Sequence, residues 1–188
     1  MRNDSKQTGL KFLLPVMLLT LLTSASVFSM AEDSKATEYR IKAAFLYNFS
    51  RFVTWPEAGG EDTGKVSLCT LGGDPFGKLL DALAGKSVHK SSLHIKRLDD
   101  PGQARECQIV FISRSASRDL EYIISLLHDQ PTLTVSDMDG FTAHGGIIQF
   151  KRVNNRVQFD INIDAANLAG LTISSKLLSL ATVVRNTQ

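Results

Sequence analysis

Residues Lys65 to Gly77, KVSLCTLGGDPFG, run from an apolar stretch through a glycine-rich turn into a helix start. Such a turn can present backbone N–H groups to a phosphate. A dinucleotide fingerprint requires G-x-G-x-x-G and a P-loop ends in Gly-Lys-Ser/Thr. Gly72, Gly73, Asp74, Pro75, Phe76 and Gly77 match neither. Pro75 lacks the N–H an anion would use, and Asp74 places a carboxylate where the anion would sit. Capping by Asp74, with Pro75 in the first helical turn, accounts for the same residues. The turn still follows a strand, where α/β sheets bind ligands. Gly72, Gly73, Asp74 and Phe76 therefore stay a candidate pocket for a neutral or cationic small molecule.

Two other groups carry reactive atoms. Asp137, Asp139 and His144 lie close together in SDMDGFTAHGG, and Ser113, Ser115 and Ser117 lie in one short stretch. The serines lack a G-x-S-x-G elbow. The Asp137, Asp139 and His144 group has the residue types for acid–base work, but the stretch reads more readily as a turn whose side chains bond their own backbone, with Gly140, Gly145 and Gly146 supplying unusual angles. No nucleophile has an evident base, so these residues do not specify an enzyme. A structural zinc site wants four closely spaced ligands. His89, His94, His128 and His144 are scattered, and no metal or cofactor is expected.

The remaining reactive pair is Cys69 and Cys107. Two cysteines in an exported chain default to a disulfide. If the strands that carry them are neighbours, a bridge would stabilise the fold by at most about 4 kcal/mol in loop entropy. A structural bridge and a redox-sensing one are both compatible with the residues.

The positioning elements follow from periodicity. Asp33 to Val53 is expected to be a helix, with Tyr39, Ala43, Leu46, Tyr47, Ser50 and Val53 at three- and four-residue steps. Phe45, Phe49, Phe52 and Trp55 widen its apolar stripe. They are either core or an exposed face for a partner or a second copy. Strands are expected at Val66–Leu71, Leu93–Leu98, Cys107–Ser113 and Leu133–Val135. Helices are expected after Asp74, over Ser115–Gln130, after Asp164, and from Ser174 or Ser175 through KLLSLATVV. Ile147–Val153 and Arg156–Ile163 form a hairpin about Asn154-Asn155, since asparagine tolerates positive φ. The expected fold is an α/β single-domain sandwich: a mixed β-sheet, helices on both faces, and a C-terminal antiparallel hairpin plus helix.

Export is read from residues 1–31. Arg2, Lys6 and Lys11 precede the apolar run Phe12–Leu22, and Ser29-Met30-Ala31 fits a cleavage site. This is the pattern of a secretory signal peptide, which leaves 32–188 as one periplasmic domain. The whole chain has 21 basic and 19 acidic residues. Loss of those three basic residues and Asp4 balances the mature charge, so nothing recommends nucleic acid as a partner.

Five segments, EYRIKAAFLYNFSRFVTWP, SLCTLGGDPFGKLLDALAGKSV, CQIVFIS, PTLTVSDMDGFTAHGGIIQF and VQFDINIDAANLAGLTISSKLLSLATVV, together resemble the YfiR family. The resemblance implies an α/β fold, a homodimer and a periplasmic repressor. Its partners would be the periplasmic domain of a YfiN-type inner-membrane diguanylate cyclase and a YfiB-type OmpA-like outer-membrane lipoprotein. Repression would lower cyclic di-GMP and biofilm formation. Cys69 and Cys107 match the family's redox-linked pair, but this chain has no cysteine after Cys107 to form a second bridge. The other reading is a periplasmic small-molecule-binding sensory module for another membrane receptor.

Overall fold

The computed structural model describes residues 25–56 and 64–184. The apolar run of the expected signal peptide lies outside them. The chain divides into two compact units, Met1–Glu38 and Tyr39–Gln188. The described part of the first is helical.

Helix α1, Ala25–Phe52, starts earlier than the apolar spacing indicates and takes in Ser29–Ala31. It gives way to β1 (Val53–Thr54), because Trp55 precedes Pro56, whose ring disfavours helical angles there. Next come β2 (Lys65–Leu71), the single turn α2 (Lys78–Asp81), β3 (Ser87–Val88) and β4 (Ser91–Leu98). A 3-10 turn at Pro101–Glu106 leads into β5 (Ile109–Ile112). A second, Arg114–Asp119, leads into α3 (Leu120–Leu127) and β6 (Leu133–Ser136). The chain continues with β7 (Ile148–Val153), β8 (Arg156–Asn162), α4 (Ile163–Leu168), β9 (Thr172–Ile173), α5 (Ser175–Leu178) and β10 (Thr182–Val184).

Eight strands form one mixed sheet in the order β10-β8-β7-β6-β5-β2-β4-β3. β4, β2, β5, β6 and β7 run parallel, while β3 is antiparallel to β4 and β8 to β7. Asn154 and Asn155 turn the β7–β8 hairpin at φ 48° and 63°, as expected. β1 and β9 make a separate antiparallel pair.

Alternation along the strands feeds two cores. Leu68, Ile109, Phe111, Leu133 and Val135 face α1, α2, α4 and α5. Cys69, Leu71, Val110 and Ile112 face α3 and the 3-10 turns. Both faces of the central strands are covered, which is why they read as unbroken apolar runs.

Three expected helix boundaries are corrected. Asp74 does not cap α2: the cap position is Gly77, and the Asp74 carboxylate accepts from Phe76 N and holds Arg97. The cap of α4 is Asn162 rather than Asp164, its side chain accepting from Ala165 N. The last helix stops at Leu178, and Thr182–Val184 continues as an edge strand parallel to β8. β-branched Thr182, Val183 and Val184 suit that extension better than a helix.

The loop after β6 is held by a close approach. A Cβ on Gly146 would lie 2.2 Å from the fully buried ring of Phe141. Gly146→Ala is expected to cost about 1–3 kcal/mol through overpacking, read as a lower urea midpoint at unchanged m. An unshifted midpoint would show that the ring can move aside.

Candidate functional site

The strand order reverses about β2: β4 lies on one side of it and β5 on the other. The carboxyl ends of β2 and β5 therefore flank a topological switch point, where open α/β sheets commonly bind ligands. The sequence candidates Gly72, Gly73, Asp74 and Phe76 follow β2, and Ser113 to Ser115 follow β5.

At this crevice the chain's own groups bond one another. Gly72 N donates to Leu98 O at 3.3 Å, and Ser113 N to Leu71 O at 3.0 Å. Gly73 N donates to Ser115 Oγ at 2.8 Å. Gly72 has φ +82°, and a Cβ there would lie 2.7 Å from Ser115 Oγ, so the close approach needs glycine. Phe76 is buried, edge-on to both Tyr39 (5.3 Å) and Phe111 (4.8 Å). Asp74 bonds Arg97 at 2.8 Å, and Arg97 also reaches Asp81. The amides of Gly72, Gly73 and Phe76 are thus already committed within the fold.

Above the same edge lies a cluster the sequence reading missed. Lys42 Nζ is 2.6 Å from Asp137 Oδ2, and both side chains are 4% exposed. The Tyr39 hydroxyl donates to the same oxygen at 2.9 Å. Arg114 Nε lies 3.2 Å from Asp137 Oδ1, and its Nη2 donates to the Asp137 carbonyl. The Lys42 ammonium also stands 4.5 Å from the Tyr39 ring centroid. Lys42 follows Tyr39 by three residues and precedes Leu46 by four. A lysine inside that stripe was the available signal that a buried acid must face it.

Burial pushes the Asp137 carboxyl up, but the hydrogen bond and charge of Lys42, the Tyr39 hydroxyl and Arg114 outweigh it. The net result lies below the ordinary aspartate value. Its stabilisation is present above the unfolded-state value and is lost as pH falls through the folded one. Wild type and Asp137→Asn should accordingly differ by a constant stability at neutral pH. That gap should narrow only below about pH 4 in denaturant titrations at stepped pH. A gap that closes near neutrality would contradict this assignment. With both oxygens occupied by cationic and hydroxyl donors, Asp137 ties α1 to β6 and is poorly placed to take up a proton.

The other sequence candidates separate. Asp139 and His144 are exposed, and His144 Nδ1 contacts Gly140 O rather than an acid. Phe49 is fully buried, between the rings of Phe150 (5.7 Å) and Phe159 (5.2 Å). It is core, because it points inward with Leu46 and Val53. Phe45, Phe52 and Trp55 are half-buried against that core, and Trp55 Nε1 donates to Gln108 O at 3.1 Å. Phe45 also surfaces in a groove with Arg40, Ile41, Ala44 and Asn48. Cys69 and Cys107 are joined in a disulfide across neighbouring strand paths, Cα–Cα 6.1 Å, and both are buried.

Among the described residues, no helix is long and apolar enough to cross a membrane. Within them, no three His, Cys, Asp or Glu gather as a metal site.

A YfiR/HmsC-like family model matches residues 39–182, most of the chain. Among solved structures, the chain is similar to the crystal structure of a conserved domain protein from Vibrio cholerae O1 biovar El Tor. The likeness has a TM-score of 0.47 at 14% identity and covers 65% of this chain. It covers 55% of that protein, so the chain spans little more than half its length.

Proposed function

The chain belongs to the YfiR/HmsC-like family, and from that premise we propose that it represses an inner-membrane diguanylate cyclase by binding the cyclase's periplasmic domain. The family is one of periplasmic regulators of cyclic di-GMP signalling, regulatory rather than catalytic. The match over residues 39–182 carries the proposal, because it takes in nearly all of the unit Tyr39–Gln188.

A repressor of this kind works through differential affinity. It shifts the cyclase only by the difference in its binding to the inactive and active states. Such work favours a stiff body over a reactive cleft. The disulfide, the Lys42–Asp137 tie and the Gly73–Ser115 bond at the strand end all stiffen this fold. In this proposal the protein acts as a homodimer, and an OmpA-like outer-membrane lipoprotein removes it from the cyclase. The available flank of the aromatic helix is Phe45 with Ile41, which is 41% exposed, since Phe49 is withdrawn into the core.

Periplasmic crosslinking in the native host tests the proposal. The expected result is a membrane diguanylate cyclase crosslinked to the wild-type protein, with much less captured by Ile41→Asp at an equal protein level. Capture of a receptor lacking cyclase activity, with no cyclase, would replace repression by a sensory role.

A further inference from the structure

The geometry points to a second binding site: a pocket between the end of α1 and the β3–β4 turn that takes the phosphate of a small organic phosphate. The pocket is an open surface depression of roughly 400 Å³, lined by Tyr47, Arg51, Phe52, Ser87 and His89. That volume lies in the ordinary range for small-ligand sites.

Its charge has one sign. The Arg51 guanidinium lies 5.9 Å from the Tyr47 ring centroid, and the Lys86 ammonium 5.5 Å from the same centroid. Neither cation has an ion pair among the described residues, and no acidic side chain lines the pocket. Arg51 lines the pocket, and Lys86, next in sequence to the lining residue Ser87, brings a second positive charge to the same ring. A bound oxyanion would be attracted by both. Arginine's planar fork suits two phosphate oxygens, and lysine adds a point charge.

The pocket is also held in place. The Tyr47 hydroxyl donates to the Ser87 carbonyl at 2.9 Å, which fixes the ring between helix and hairpin. His89 opens the two-residue turn between β3 and β4 at φ 52°, a conformation glycine usually supplies. A non-glycine residue held there at the pocket's edge carries a backbone cost of the kind found at binding sites. Phe52 supplies an apolar wall for the organic part of the ligand. The site lies apart from the Lys42–Asp137 cluster in its residues, and it does not depend on cyclase repression.

The phosphate can come from a soluble ester or a phospholipid headgroup, and the test has an arm for each. Protein purified from the periplasm is titrated with glycerol 3-phosphate, with sodium chloride at matched ionic strength as control. In parallel it is floated with phosphatidylglycerol and with phosphatidylcholine vesicles. The expected result is a rise in melting temperature with glycerol 3-phosphate, beyond the chloride control, or flotation with phosphatidylglycerol alone. Arg51→Gln with Lys86→Gln should weaken whichever response is seen by at least about tenfold, the loss of charge-assisted hydrogen bonds. Both side chains are exposed, so the variant should melt like wild type without ligand, and this is measured first. A response equal in wild type and variant, or no response in either arm, overturns the site.

Discussion

Asp137→Ala should lower the stability of this domain by about 3–5 kcal/mol, the usual cost of removing one partner from a buried ion pair. Lys42 and Asp137 are each 4% exposed and 2.6 Å apart. Alanine removes the carboxylate that Lys42, Tyr39 and Arg114 share, while the Lys42 ammonium stays in the interior. Holding a charge out of water costs several kcal/mol, and the Asp137 carboxylate offsets much of that cost for Lys42. Lys42→Met should be milder, since Asp137 keeps Tyr39 and Arg114. The double variant Lys42→Met, Asp137→Leu should recover much of the loss, because apolar packing can replace a buried pair. Urea midpoints for the three variants decide the matter. A loss below about 1 kcal/mol for Asp137→Ala would place the pair with ordinary surface contacts.

The second large effect is at the disulfide. Cys69→Ser with Cys107→Ser should cost about 2–4 kcal/mol, since the bridge closes a long loop and its sulfurs lie in a packed core. Against a total of roughly 5–15 kcal/mol this is a large share. Cys69 is 0% and Cys107 2% exposed. Exchange needs a thiolate to reach a sulfur. Reduction by dithiothreitol should therefore be slow and should follow the unfolding rate as urea is added. Fast reduction with near-UV circular dichroism unchanged would mean that the bridge opens within the native fold, as a redox sensor requires.

Much of the architecture was legible because periodicity and turn chemistry agree. Val110 and Ile112 alternate with Ile109 and Phe111, and both faces are covered, so the segment reads as a central strand. Asn154-Asn155 marks its hairpin by the ease with which asparagine takes positive φ. The failures share a cause: competition between local and long-range bonds. Asp74 had the composition of a cap, but Arg97, distant in sequence, shares its carboxylate. Thr182–Val184 looked like the end of a helix until β8 supplied a strand to pair with. Lys42 and Asp137 are 95 residues apart. Periodicity could mark Lys42 as misplaced in its stripe, but could not name the acid that meets it. The turn at Gly72 was correctly put at a strand end, and only the strand order revealed that this end is the switch point, where Ser115 bonds Gly73.

Repression of a cyclase is tested most directly by cellular cyclic di-GMP in the native host, with and without this gene. The expected result is a clear rise on deletion, reversed by the exported protein and not by a form retained in the cytoplasm. An unchanged level on deletion, with the protein normally present in the wild-type periplasm, would contradict repression.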